Sequence, residues 1–355
     1  MNIDSYVPSQ GERIGKHIYA VILVGLLALP FLVPQFQRFL IAETLLLILL
    51  ATAFNLLYGY TGLLSFGHAM FIALPGYTFA IFVLDVVPEI GLSDVGGGAN
   101  PLVLLLIGFI VAMVITFIIT VPIGYLSVQL REIYFAMITL SFSMAIFAIA
   151  DRNIGGLSNG DDGRTVILSQ TELFGLEFSL IDPLAMYFII LLFFVPAMYL
   201  MWRIVNSPFG QVCKAIRENP ERASAIGINV TKHSWYTFIL SGMFSAIAGV
   251  FIVPLRTFIN PAVANWSFGA EPVIMTVLGG PYNFLGPAIG AVVFRYARWF
   301  LSQYPVLEAN WELFLGTIVL VMVLFFSGGI SEGVKKLIKR VRNRQSESSP
   351  SESSS

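Results

Sequence analysis

The sequence predicts an all-α polytopic membrane protein of about ten transmembrane or half-transmembrane helices, with N- and C-termini on the cytoplasmic side. Three observations carry that prediction. First, of 355 residues 57% are hydrophobic and only 12% are charged, and mean hydropathy is +0.81. A soluble globular chain is about 45–50% apolar even with glycine counted, and it needs a charged skin. The 20 Lys+Arg and 21 Asp+Glu are too few to coat one of this length. Second, apolar runs recur at close to the roughly 20 residues that cross a bilayer as a helix. Third, the basic residues are segregated between alternate connections.

The apolar segments run over 18–34, 39–58, 62–84, 101–126, 133–150, 184–203, 235–255, 267–281, 284–303 and 312–328. Segment 267–281 is short and glycine-rich, the profile of a half-helix. The first segment reaches Val33 without an A-x-A-like cleavage site and is followed at once by another span, so it reads as an anchor and not a secretory signal. With residues 1–17 inside, the inner connections hold Arg13, Lys16, Arg131, Arg203, Lys214, Arg217, Arg222 and Lys232, plus the six basic residues from Lys335 to Arg344. The outer ones hold Arg38, Arg152, Arg164 and Arg256, and are rich in acid (Asp85, Glu89, Asp94, Asp151, Asp161, Asp162). Fourteen against four sets the orientation, because loops that stay inside retain Lys and Arg. The transmembrane body then covers 18–330, with an inner connection at 204–234. Residues 331–355, basic and then serine-rich, have little to bury and read as a disordered inner tail.

Several chemistries are excluded. A formal charge of −1 offers nothing to nucleic acid, and one cysteine, Cys213, rules out an intrachain disulfide and any CxxC site. The Gly15-Lys16 pair is followed by His17 and lacks the upstream glycine of a phosphate-binding loop, so this chain binds no ATP of its own. Aligning Gly163 with the glycine of a calcium loop puts Ser158 and Gly160 at ligand positions and Ser169 at the closing acid, which fails. That outer loop reads as an Asn/Asp/Gly-rich turn or a contact for an external protein. No metal site and no catalytic Ser-His-Asp arrangement is found.

The polar insert "KAIRENPERASAIGINVTKHS" (214–234) interrupts the apolar pattern. Asn219 is a good N-cap, Pro220 suits the first helical position and Glu221 suits the positive end of the helix dipole. Gly227 suits a left-handed stop. A two-turn helix over Pro220–Ile226 follows, preceded by another over Phe209–Arg217. Ala223 and Ile226 fall on one face at i, i+3. Two turns alone are marginal in water, so a partner groove or the protein's own helix ends must hold them. A headgroup-bound solvated loop is the bland alternative.

Two apolar segments are broken by glycine: Gly59, Gly62, Gly67 and Gly76 near one end, and Gly269, Gly279, Gly280, Gly286 and Gly290 near the other. Interrupted helices in corresponding halves point to a translocation path. Candidates along it are Gly62, Ser65, Gly67, His68, Gly279, Gly280 and Gly286. Close helix packing through Gly286-x-x-x-Gly290 is the competing reading, and so is a packing hydrogen bond for His68. Glu43, Arg256 and Glu271 map near outer span ends, where snorkelling relieves their cost. Arg295 and Arg298 lie deeper and need partners or water. No acid maps to mid-membrane, which argues against an ion-coupled secondary transporter, the alternative of another class.

"GQVCKAIRENPERASAIGINVTKHSWYTFILSGMFSAIAGVF" (210–251), "NLLYGYTGLLSFGHAMFIALPGYT" (55–78) and "VLGGPYNFLGPAIGAVV" (277–293) resemble, in order, the inner loop and two glycine-rich stretches of the Liv-type permeases of branched-chain amino acid ABC importers. "GGLSNGDDGRT" (155–165) resembles the M-type subunit more than the H-type. The resemblance runs from about Arg38 to Ile330; Arg295, Arg298 and the serine-rich tail depart from it. It implies a plasma-membrane subunit that is not an enzyme, paired with a homologous permease, two ATP-binding subunits carrying ATP and magnesium, and an external solute-binding protein. Urea or short-chain amides are the alternative cargo. In such a machine Ala215, Ile216, Arg217, Glu218, Glu221, Ala223, Ala225, Ile226 and Gly227 would couple to the ATP-binding subunit.

Overall fold

The computed structural model describes residues 24–91, 100–130, 133–168, 170–173 and 176–305, with scattered positions up to 320. The predicted segments 1–17 and 331–355, and most of 312–328, lie outside the described residues.

A helix is buried according to how much of its surface is apolar, and one that is apolar all round belongs inside. That is the case for α2 (Gln35–Thr61), whose spanning window is wholly buried. At 1.5 Å per residue its 27 residues measure about 40 Å. Before it, residues 24–32 are helical (α1). Against α2 pack α7 (Pro183–Val205), α10 (Val230–Arg256), α11 (Trp266–Gly279) and α12 (Gly286–Leu301). Next to α10 lies α3 (Met70–Ile81), which continues through a π-helical stretch, Phe82–Val86, into α4 (Val87–Glu89). On the periphery, α5 (Pro101–Ser127) exposes Ile110, Phe117 and Ile118, and α6 (Ile133–Asp151) exposes Ile133 and Met137. Those apolar flanks suit lipid. Several starts carry the expected caps: Asn100, Asp182, Asn229 and Asn265 each accept a backbone N–H from the first turn.

Among the described residues six helices are long and apolar enough to cross a membrane. They make an all-α polytopic membrane protein, apart from two small antiparallel strand pairs. The prediction of one span over 62–84 is corrected: 62–69 is not helical, and the crossing helix is Met70–Glu89. Segments 267–281 and 284–303 are α11 and α12, of 14 and 16 residues. At about 21 and 24 Å they fall short of a 30 Å hydrocarbon core. They form a hairpin whose tip, Gly280–Leu285, returns to the Thr61 end of α2, since a Cβ on Gly59 would lie 2.5 Å from the Pro281 carbonyl oxygen. The two helices touch backbone to backbone. A Cβ on Gly279 would sit 1.8 Å from the Gly286 carbonyl oxygen, and one on Gly290 1.8 Å from that of Met275. This is small-residue packing, as the Gly-x-x-x-Gly spacing foretold.

At the end opposite that tip, Arg164–Thr165 (β1) pairs antiparallel with Phe258–Ile259 (β4), with Arg164 opposite Ile259. Between these lie the hairpin strands β2 (Gln170–Leu173) and β3 (Leu176–Ser179). Arg164 ties the cap to the π-helical stretch through Asp85, with nitrogen–oxygen distances of 2.6 and 2.5 Å. The Asn153 side chain accepts from the backbone of Ser158 and Asn159 at 3.1 and 3.0 Å, folding the Asn/Asp/Gly-rich loop on itself.

Two expectations follow. Replacing Gly290 by Val forces two methyls into the Met275 backbone. Overpacking costs roughly 1–3 kcal/mol and more where backbone must move, so the detergent-solubilised chain should melt several degrees lower. An unchanged melt would mean that α11 and α12 are not in backbone contact. For orientation, Cys213 is a poor reporter: it is fully buried on Thr237 (3.3 Å), and burial pushes its thiol pKa up. A Cys213→Ala, Ser224→Cys chain places a thiol on an exposed position. An impermeant maleimide should label it in inside-out vesicles only; labelling of intact cells would reverse the orientation.

Candidate functional site

Three sites sequence reasoning singled out, or should have, are arranged along one axis of the bundle. At the basic end the polar insert folds as α8 (Pro208–Glu218) and α9 (Pro220–Ala225). Asn219 caps α9 by accepting from the Arg222 N–H at 2.9 Å. Gly227, at φ 89°, ends it, and the Ile228 N–H reaches back to the Ala223 carbonyl at 3.1 Å, the paired C-terminal motif. The helix therefore stops one residue before the predicted Ile226. The shared face of Ala223 and Ile226 is not presented as expected. Ala223 is 3% exposed and held by the chain itself, whereas Ile226 is 77% exposed. Ile216 is buried too, while Glu218, Glu221, Ala225 and Gly227 are exposed. A groove of about 480 Å³ opens between the two short helices, lined by Ala215, Glu218, Asn219, Arg222, Ala223 and Ile226.

Arg217 points inward. Its Nη1 donates to the Gly59 carbonyl near the end of α2, and its guanidinium lies 5.2 Å from the centre of the Tyr282 ring at the hairpin tip. Lys214 lies over Tyr60 at 5.7 Å. Gly62, at φ 78°, admits this approach, for a Cβ there would lie 3.2 Å from Arg217 Cγ. One side chain thus joins both glycine-rich segments to the polar insert. Sequence reasoning had Arg217 facing a partner; the aromatic-glycine run Tyr58-Gly59-Tyr60 was the available sign of an inward contact.

From the Thr61 end of α2 the chain is unwound over 62–69, and at His68 it reaches the level of Ala53 through Ser241. Irregular backbone at such depth is tolerated only inside protein or beside a cavity, and here Ser65, Gly67 and His68 are buried. Ser241 Oγ donates to the Ala53 carbonyl at 2.6 Å. Its one proton spent, it must accept from His68 Nε2, 2.9 Å away. His68 is then the neutral Nε2–H tautomer, edge-on to Phe54 and Phe71. Ala53 sits about 12 Å from the Thr61 end of α2 at 1.5 Å per residue. The predicted path residues do not converge: Ser65, Gly67 and His68 share this stretch, while Gly279 and Gly286 are taken up by the hairpin and Gly280, at φ 102°, turns it.

Toward the far end, five charged side chains the sequence left scattered meet around a cavity of about 310 Å³, walled also by Phe39, Leu47 and Phe294. Glu43 on α2 accepts from Arg256 of α10, with Nε at 2.9 Å, and is paired with Arg295 of α12. Glu271 on α11 pairs with Arg298 at 2.7 Å, and the Arg298 guanidinium stacks over Trp311 at 4.6 Å. The expectation that Glu43 and Glu271 snorkel is corrected: both are buried, since neighbouring helices screen them from lipid. Arg295 and Arg298 find the partners they required. Two glutamates and three arginines in otherwise apolar spans were the signal that pairing could have been inferred. No group of three or more potential metal-ligating side chains occurs among the described residues.

Residues 38–324 match the family described as the permease component of the branched-chain amino acid transport system. Similar proteins include the high-affinity branched-chain amino acid transport system permease protein LivM of Salmonella typhimurium, 26% identical over 88% of this chain and 74% of that one. The probable LivM of Methanocaldococcus jannaschii is 27% identical over 72% and 78%. LivH of Escherichia coli is 24% identical over 79% and 89%. No solved structure matches. The match over most of its length, on a helical frame with broken, glycine-rich segments, places this integral membrane chain in the family of branched-chain amino acid transport permease components.

Proposed function

We propose that this chain is a plasma-membrane permease subunit of an ATP-driven importer of branched-chain amino acids, oriented with the α8–α9 end in the cytoplasm. It pairs with a homologous permease to enclose the translocation path. Of two ATP-binding subunits, each carrying ATP and magnesium, one docks at the α8–α9 groove and the other on the homologous permease, and an external solute-binding protein delivers cargo at the β1–β4 cap. The observation that carries the reading is Arg217. It fastens the polar insert to the end of α2 and to the tip of the α11–α12 hairpin, so a push on α8 and α9 has a mechanical route into the bundle.

In this arrangement the exposed Ile226 is the apolar anchor and Glu218, Glu221 and Arg222 form the charged rim that sets register. Ala223→Arg is the wrong probe, because it breaks the chain's own packing. Ile226→Glu is the right one. Burying an unpaired charge costs several kcal/mol, so co-purification of the ATP-binding subunit should fall by well over tenfold while the chain reaches the membrane in normal amounts. Undiminished assembly and transport would leave α8–α9 as a solvated loop and remove the proposal. Arg217→Ala should behave differently: the complex assembles and hydrolyses ATP, but import per ATP drops because the link to the hairpin is cut. Wild-type import by that variant would assign the transmission elsewhere.

A further inference from the structure

Among the described residues, the ion-paired cavity near the cap is lined by three arginines and two glutamates, an excess of one positive charge. Arg256 spends Nε and Nη2 on Glu43, but Arg295 Nε is buried with no hydrogen-bond partner among the described residues, a costly state for a guanidinium donor. Arg295 and Arg298 lie at i, i+3 on α12 and so share a face. Glu271 has a single ion-pair partner among the described residues, Arg298. The remaining walls, Phe39, Leu47 and Phe294, are apolar, and about 310 Å³ is at the small end of ligand sites.

From this lining we infer that the cavity is a binding site for a free aliphatic α-amino acid in its zwitterionic form, a station on the import path inside this chain. Arg295 and Arg298 take the carboxylate, with Arg295 Nε gaining its missing acceptor. Glu271 takes the ammonium, and the aliphatic side chain lies against Leu47 and Phe294. A simple anion would satisfy the arginines but leave Glu271 and the apolar wall unused; a simple cation would face the net positive charge. The site also sits where it must to respond to the motor. Glu271, Arg295 and Arg298 ride on the α11–α12 hairpin whose tip touches Arg217, whereas Glu43 and Arg256 are on helices α2 and α10. A shift of the hairpin would separate Arg295 from Glu43 and change the grip on the ligand. The inference rests on the proposed import function for its choice of ligand, while its test does not.

The test uses the full-length chain purified in detergent, melted with L-leucine, leucinamide, 4-methylpentanoate or chloride. L-leucine should raise Tm, and the other three, each lacking one or both charged groups or the side chain, should raise it little. Phe294→Trp fills the cavity while keeping every charge and should abolish the shift; Arg295→Gln should abolish it with the carboxylate grip. Arg295→Gln alone could act by loosening the fold, and Phe294→Trp guards against that. In proteoliposomes with the whole importer, Phe294→Trp should assemble normally and import poorly. No shift with L-leucine, an equal shift with 4-methylpentanoate, or a shift retained in Phe294→Trp would overturn the site. An ATP-binding subunit that fails to assemble with wild-type chain would instead remove the proposed function, leaving the melting series to decide the site.

Discussion

The contact of α11 with α12 leaves no room for a side chain, and much of the rest of the structure is arranged around it. With Cβ positions at Gly279, Gly286 and Gly290 falling within about 2 Å of opposing backbone, the two helices cannot slide without first separating. They behave as one stiff piece about two-thirds of a bilayer deep. Its tip lies under Arg217 and its stems carry Glu271, Arg295 and Arg298. Packed interiors switch between discrete arrangements and do not deform continuously. A stiff hairpin set against α2 is a fitting element for that behaviour, because a displacement at its tip arrives undiminished at its stems.

The buried charges follow from the same geometry. Ion pairs taken out of water seldom add stability over apolar packing, and removing one partner is strongly destabilising. Their presence in α2, α10, α11 and α12 therefore asks for another reason, and making and breaking them along a stroke is one. The pairs join the hairpin to its frame: Glu43 of α2 holds Arg295 of α12 and Arg256 of α10. Ser241 and His68 brace the unwound stretch, and Asp85 with Arg164 braces the cap.

Composition and the recurrence of apolar runs were enough for an all-α membrane protein, because hydrophobicity of that extent has no other solvent. Caps and stops were readable too: Asn219, Pro220 and Gly227 act locally, and their backbone preferences do not depend on distant residues. What depends on distant residues was missed. The run 62–84 reads as one largely apolar span, yet its first eight residues are not helical, since the approach of Gly67 to Thr139 and of Gly269 to Phe66 is invisible in one strand of text. Glu43 and Arg295 look like unrelated snorkelling or stranded charges until α12 is laid on α2. Likewise Ala223 and Ile226 share a helical face in projection, but two turns are so short that the supporting helices decide which of them is covered.

The enclosure of the spanning window of α2 bears on how the chain is made. This helix is synthesised early and leaves the ribosome with Glu43 among leucines, while Arg256 follows 213 residues later and Arg295 later still. A charged side chain in the bilayer costs a few kcal/mol on insertion scales. During translation α2 must therefore wait at the lipid boundary or beside the insertion machinery, its carboxylate uncompensated, until the C-terminal helices arrive to surround it. Nascent chains that stall before α10 would expose that carboxylate for as long as they last, a ready mark by which a membrane protease could tell unfinished molecules from completed ones.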